Sequence, residues 1–223
     1  MEEIRIEEIV RSRRRTVALL ITPDATLIVR APLRAPLGYI QSLVRQKNDW
    51  IRRKLREASC RPKPRMKEFT EGEEFLYLGK IYKLCLREGA GPEIELADRL
   101  YLSVSALPRA AAVISIWYKS EALKLIKNRC ELYEKVTGCV PAAVKISEAR
   151  QRWGSCSAGK TLHFSWRLIM APLEIIDYLI VHELAHIGQL NHSKQYWHKV
   201  ASVLPDYKNR EKWLRENGGL LTI

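Results

Sequence analysis

The sequence predicts an α+β fold, and three of its patterns support that prediction. Short apolar runs separated by turn residues recur through residues 1–105, which is typical of small sheets. Residues 108–136 keep their apolar side chains on one helical face, with a proline at the start and Gly138 just past the end. A further helix, beginning at Pro172, is apolar on nearly every side and is therefore expected to be buried. We expect a small β-rich section with a basic helix over residues 1–105, followed by a mainly helical domain over residues 106–223.

The first section has its own succession of elements. Strands are predicted at residues 16–21 and 26–29, around a turn at Pro23. Residues 37–56 then fit one amphipathic helix whose outer side is rich in Lys and Arg. The segment 61–65 reads Arg-Pro-Lys-Pro-Arg and is a candidate boundary or hinge.

Short strands and helices fill the rest of the chain. Hairpins are predicted at residues 74–86 and 93–104. The second domain adds two strands after its long helix, at residues 143–146 and 161–166. Its remaining helices are expected to begin at Pro172, Ser193 and Asp206.

The helix that begins at Pro172 carries the strongest functional signal, the segment His182-Glu183-Leu184-Ala185-His186. Residues four apart lie on one face of a helix, so both imidazoles can point at one ion. Polar groups inside a buried helix are costly without a partner, and a Zn²⁺ ion supplies one. Glu183 lies one position further round, where it can take a proton from a water molecule without being a ligand.

A third metal ligand is predicted at His192. It lies six residues after His186, the spacing of the long HExxHxxGxxH motif, although that motif has glycine where this chain has Gln189. Gly188 tolerates the left-handed conformation and can end the helix, which would return the chain to the metal. His198, on the next helix, is the alternative ligand, and we interpret it as a packing residue.

Composition and charge limit the classes of function that the chain can have. The chain has 223 residues, a net charge of +13, and 5 cysteines without CxxC spacing. Residues 1–65 alone hold 16 Lys and Arg against 7 Asp and Glu, an excess that either attracts nucleic acid or nucleotides or remains a solvated surface. The acidic start lacks the layout of a signal peptide, and no apolar run reaches membrane-spanning length. We expect a cytoplasmic protein with reduced thiols and no membrane association.

Several blocks of the second domain together resemble the YgjP-like metallopeptidases, a family related to the SprT-like and WLM metallopeptidases. They are Arg152-Trp153-Gly154-Ser155-Cys156, His163-Phe164-Ser165-Trp166-Arg167-Leu168, His182-Glu183-Leu184-Ala185-His186, and Asn191-His192-Ser193-Lys194 with Tyr196-Trp197. The chain departs from the common pattern at His163, at Ser165, where asparagine is frequent, and at Tyr196, where phenylalanine is common.

The resemblance implies a zinc-dependent hydrolase, most simply a peptidase, with His182, His186 and His192 as metal ligands and Glu183 as catalytic base. Because a nucleoside-triphosphate pyrophosphohydrolase activity has also been attached to the family, a nucleotide substrate is the first alternative. A second alternative is a nucleic-acid-binding or partner-binding module at residues 1–65 with a protease domain attached.

The order of a long helix, a small sheet and an HExxH helix is also that of zincin catalytic domains. In that arrangement residues 161–166 would be the edge strand beside the metal. An extended peptide could pair with this edge as an additional strand. Candidate substrate-binding residues are Arg152, whose guanidinium can hold a carboxylate or phosphate, Trp153 and His163. Trp153 can equally be a core residue, and the sequence alone leaves both roles open.

Overall fold

The computed structural model describes residues 4–22, 24–60, 66–150 and 152–223 and confirms the mixed α+β class. The chain divides into two compact units, Met1–Pro64 and Arg65–Ile223. The proposed hinge at residues 61–65 and the turn residue Pro23 lie outside the described residues. No helix in the part of the chain that the structure describes is long and apolar enough to cross a membrane.

The first unit is a three-stranded sheet covered by two helices. Its strands are β1 (Ile6–Ser12), β2 (Ala18–Ile21) and β3 (Leu27–Pro32), in the order β1-β3-β2, with β1 parallel and β2 antiparallel to the central strand. Its helices are α1 (Leu37–Gln46) and α2 (Asn48–Ser59). The core consists of six apolar side chains from β3 and the helices, namely Leu27, Val29, Ala31, Ile40, Val44 and Ile51.

The prediction of one helix over residues 37–56 was wrong, because the helix is interrupted at Lys47. That residue has φ −99° and ψ 15°, outside helical geometry. Asn48 begins the second helix and its side chain accepts a hydrogen bond from Arg52 Nε at 3.0 Å, while Asp49 lies in the first turn. A carboxylate in the first turn is stabilised by the positive end of the helix dipole, which favours a new helix start here.

The second unit begins with a four-stranded sheet. Its strands are β4 (Glu74–Tyr77), β5 (Lys80–Arg87), β6 (Ile94–Leu96) and β7 (Leu100–Ser103), in the order β4-β5-β7-β6. A 3-10 segment at Val104–Arg109 leads into the long helix α3 (Ala110–Thr137), which ends at Gly138 with φ 65°. Only glycine adopts that left-handed conformation without strain, so the predicted stop at Gly138 is confirmed.

A second small sheet and three helices complete this unit. The strands β8 (Ala143–Ser147), β9 (Gly154–Cys156) and β10 (Thr161–Ser165) are ordered β8-β10-β9. The helices are α4 (Leu173–Ala185), α5 (Lys194–Val203) and α6 (Tyr207–Asn217). Strand β9 was not predicted, because three residues are too few to show an alternating pattern.

The expected boundary between residues 105 and 106 does not coincide with the division between the two units. Phe75 and Leu84 of the four-stranded sheet are buried in the same apolar cluster as Ile114 of α3 and Ile180 of α4. The β4–β5 turn also lies against the start of α4, since a Cβ added at Gly79 would lie 2.8 Å from Pro172 Cγ. The sheet at residues 74–103 therefore shares its core with α3 and α4.

A buried ion pair joins α3 to α4. Arg129 donates from Nε to Asp177 Oδ1 at 2.7 Å and from Nη2 to Oδ2 at 2.6 Å. Asp177 is 7% exposed. Removing one partner of such a pair leaves a buried charge without compensation.

We expect Asp177→Asn to lower the free energy of unfolding by about 3 kcal/mol, because Arg129 loses its bidentate partner. Asp206→Asn is the matched control, since it breaks the exposed pair with Arg210 at 2.9 Å and should cost less than about 1 kcal/mol. Urea unfolding followed by tryptophan fluorescence measures both changes. Equal destabilisation by the two substitutions would contradict the structural role of Asp177.

Candidate metal centre

Helix α4 is buried on almost every side. Its buried residues include Ile175, Ile176, Leu179, Ile180 and Val181. The helix ends at Ala185, with His186 as its C-cap. The polar residues of the motif therefore lie at the carboxyl end of a helix that is mostly apolar.

The structure brings the three predicted ligands together. One ring nitrogen from each of His182, His186 and His192 lies within 4.8 Å of the other two. His182 Nε2 and His192 Nε2 are 3.3 Å apart. Two nitrogens held about 2.05 Å from one tetrahedral ion would lie about 3.3 Å apart, so this separation fits a shared zinc ion.

A short loop returns His192 to the two helical histidines. His186 Nδ1 is 3.0 Å from the carbonyl oxygen of Gln189, a contact that fixes its ring and leaves Nε2 directed at the other histidines. Such a bond from the distal ring nitrogen is the usual second contact of a metal-ligating histidine. Ser193 then caps α5 by accepting from the backbone N–H of Tyr196 at 3.3 Å, as its type predicts.

Tyr196 packs beneath this cluster, a role that was not predicted for it. Its hydroxyl donates to the carbonyl oxygen of His182 at 2.8 Å. The centroid of its ring lies 4.6 Å from that of His186 and 4.7 Å from that of His192. Tyr196 is fully buried, so it fixes the end of α4 and the returning loop at once. In the sequence, the available signal for such a role was that Tyr196 belongs to the same family-like block as His192.

Burial favours the neutral form of His182 and of His186. Burial, and then the nearby His186 and His192, lower the pKa of His182 to about 3. Burial also lowers the pKa of His186. Neutral imidazole is the form that binds a metal. The residues present therefore fit a divalent ion that prefers nitrogen ligands, such as zinc.

Glu183 is buried next to strand β9. The residue is 4% exposed, and burial raises the pKa of its carboxyl group to about 7. A Cβ added at Gly154 would lie 2.5 Å from Glu183 Oε1. Cys156 lies two residues further along β9 and therefore on the same face, and burial, and then Glu183, raise the pKa of its thiol. Only glycine at position 154 leaves room for this carboxylate.

Strand β9, and not residues 161–166, is the edge strand beside the candidate centre. The prediction for 161–166 was wrong, because β10 lies between β8 and β9. Ser165 N–H donates to Trp153 at 2.8 Å and Ser157 N–H donates to Thr161 at 2.9 Å. In an antiparallel pair the bonded residues alternate. Gly154 and Cys156 therefore direct their backbone N–H and C=O groups towards the open edge.

The three predicted substrate-binding residues occupy two places. Arg152 and His163 line a cavity of about 320 Å³ together with Ser147, Ser155 and Ser157. His163 is paired with Ser155 across the sheet, on the face opposite the buried Leu162 and Phe164. Trp153 instead packs on the C-terminal segment, where a Cβ at Gly218 would lie 2.9 Å from Trp153 Cζ2. The alternative of Trp153 as a packing residue agrees with this position.

Comparison with known proteins assigns the family. The family model described as "YgjP-like, metallopeptidase domain" matches residues 15–217, which is most of the chain. The chain belongs to the YgjP-like metallopeptidase family. This YgjP-like protein is accordingly a metal-dependent hydrolase and a metallopeptidase by family.

The search of solved structures found the metallopeptidase zymogen of Pyrococcus abyssi abylysin. It is 22% identical, with 39% of this chain and 89% of that chain covered and a TM-score of 0.37. No curated protein matches the chain. The assignment therefore depends on the family match.

We expect Gly154→Ala to reduce peptide hydrolysis about 100-fold, because the new methyl group would displace the Glu183 carboxylate by roughly an ångström. The metal content, measured by elemental analysis, should remain that of the wild type, since no histidine is touched. Gly159→Ala is the matched control: its new Cβ meets nothing closer than Ser157 Oγ at 3.9 Å. Full activity in Gly154→Ala would contradict the close contact with Glu183.

Proposed function

We propose that this YgjP-like metallopeptidase is a zinc-dependent peptidase. In this proposal His182, His186 and His192 hold the ion and Glu183 is the general base. The observation that carries it is the convergence of three imidazole nitrogens within 4.8 Å beside a buried carboxylate. Three protein ligands leave one position of a tetrahedral ion open, as catalytic zinc sites require.

Glu183 has the properties of a base in this reaction. When bound, zinc supplies Lewis acidity, which lowers the pKa of a water molecule and polarises a carbonyl group. Glu183 accepts a proton from the attacking water and then passes it to the leaving amine. Burial raises the pKa of its carboxyl group to about 7, and a base works best when its pKa is near the working pH.

Strand β9 is the proposed substrate-binding strand, and it would bind the substrate along its open edge. Gly154 and Cys156 offer backbone donors and acceptors there, and an extended peptide can pair with such an edge. The side-chain direction of Gly154 points at Glu183. A peptide bound along this strand would therefore bring its backbone to the general base.

The two alternative functions are nucleotide hydrolysis and the binding of nucleic acid or a partner by residues 1–65. Neither gains support from the family match or from the structure found by comparison. A nucleotide substrate would ordinarily be held through Mg²⁺ and carboxylates, whereas the candidate centre has histidine ligands. The basic residues of the first unit are equally explained as a solvated surface. Phosphate release from nucleoside triphosphates, measured beside a casein digest, distinguishes a nucleotidase from a peptidase.

Glu183→Gln should keep its zinc and lose casein hydrolysis by about 10³-fold, because the amide cannot accept the proton. Zinc is measured by elemental analysis and hydrolysis by release of soluble peptides. Glu174→Gln, an exposed position on the same helix, is the control and should behave as the wild type. Equal hydrolysis by the wild type and Glu183→Gln would exclude Glu183 as the base.

His192→Ala, purified without added metal, should retain much less zinc than the wild type, which should carry about one ion per chain. The physical reason is the loss of one of three ligand nitrogens. His198→Ala is the matched control, because His198 is exposed on α5 and should not alter zinc content. Zinc retained in His192→Ala and lost in His198→Ala would assign the third ligand to His198 instead.

A further inference from the structure

A polar cavity adjoins the proposed substrate-binding strand and has no part in the chemistry described above. It has a volume of about 320 Å³ and runs along β9. Its lining includes Ser155 and His163, which are paired on one face of the small sheet, and also Gly154 and Cys156 of the same strand. The Glu183 carboxylate lies beneath Gly154. None of the three clustered histidines lines the cavity, so a ligand there would not occupy the proposed metal site.

The chemistry of this cavity is that of an anion site. Its lining includes Arg152, His163 and the three serines Ser147, Ser155 and Ser157, beside Ala149, Gly154 and Cys156, and it contains no acidic residue. Arg152 has no ion-pair partner within residues 4–22, 24–60, 66–150 and 152–223. A guanidinium fork with nearby hydroxyl donors matches the geometry of a carboxylate.

The surrounding charge supports the same ligand class. Lys145 is paired with His163 across the sheet and is exposed, so it adds a positive charge on this face. Glu148, the nearest acidic residue along the chain to β8, is already engaged by Lys119 and by Trp166 Nε1 at 2.9 Å. Arg152 is therefore available to a negative group from outside.

The register of a bound peptide determines which of its side chains reaches the cavity. Successive residues of a strand point to opposite faces. In a peptide paired with β9, the residue level with Gly154 faces the side of Glu183. The residue next to it, level with Ser155, projects to the face that carries His163, and Arg152 lines the same cavity as His163.

We infer that Arg152 and His163 select a substrate with an Asp or Glu side chain within two residues of the cleaved bond. The carboxylate is bound by the Arg152 guanidinium and by hydrogen bonds from His163 and the serine hydroxyls. This inference rests on the proposed peptidase function and adds the substrate class to it.

The test uses the full-length, zinc-loaded protein and a peptide library made by digesting a whole proteome with chymotrypsin, which leaves acidic and basic residues inside the peptides. Cleavage sites are identified by mass spectrometry. We expect Asp and Glu to be enriched at least about threefold at one position within two residues of the cleaved bond. In Arg152→Ala the enrichment should disappear while other peptides are still cleaved, and in Arg152→Glu it should change to Lys and Arg.

Arg99→Ala is the matched control. Arg99 is exposed in the β6–β7 turn, and its substitution removes the same net charge without touching the cavity. It should keep the wild-type enrichment. Loss of the enrichment in Arg99→Ala as well would mean that overall charge, and not Arg152, sets the preference, which would overturn the inference.

Failure of the inference can be distinguished from failure of the proposed function. Wild-type cleavage without acidic enrichment would overturn the selection by Arg152 and leave the peptidase proposal standing. Absence of any cleavage by the zinc-loaded protein would overturn both. Inorganic triphosphate bound in an Arg152-dependent manner, with no acidic preference among cleaved peptides, would assign the cavity to phosphate and also overturn the inference.

Discussion

The burial of helix α4 is the constraint on which the second unit depends. A helix that is apolar on nearly every side must be enclosed, and α3, the start of the four-stranded sheet and strand β9 all pack against it or share its core. The few polar groups that α4 carries are then forced into defined positions. Asp177 meets Arg129 inside the unit, while His182 and Glu183 face the carboxyl end of the helix. Stability and chemistry thus come from the same packed element.

Enclosure also explains the electrostatics of the candidate centre. Removal from water disfavours the charged form of each group, so burial lowers the pKa of His182 and raises that of Glu183. These opposite shifts have one physical cause. They leave ring nitrogens free to bind a cation and a carboxyl group poised to exchange a proton.

Much of this arrangement could be predicted from the sequence, because it depends on local and periodic signals. Capping signals predict where two helices end or begin: α3, of 28 residues, stops at Gly138, and α5 starts after Ser193. The spacing of four residues predicts that His182 and His186 lie close together. Strand β1 and the break at Lys47 could not be predicted in this way. Strand β1 has no regular alternation of apolar and polar residues along Ile6–Ser12, and Lys47, where the helix breaks, is a good helix former that gives no stop signal.

The order of strands in the second small sheet was the more consequential failure. Residues 161–166 were correctly identified as a strand, but the sequence does not reveal which neighbours a strand has. The pairing of β10 with both β8 and β9 depends on contacts between distant segments. The sequence shows a glycine in the Arg-Trp-Gly-Ser-Cys block. Only the structure shows why a glycine is needed there, because it reveals how close Gly154 lies to Glu183.

The three candidate ligands come from one continuous stretch, residues 182–192. Bringing them together closes only a short loop, and the entropy cost of closure rises with loop length. Strand β9, by contrast, approaches Glu183 from a segment that ends 27 residues earlier in the chain. Capture of an ion is therefore a local property of α4 and its return loop, whereas alignment of a substrate depends on the whole unit. During the evolution of such a chain, the sheet could diverge and change what is cleaved while the ion-binding stretch stayed the same.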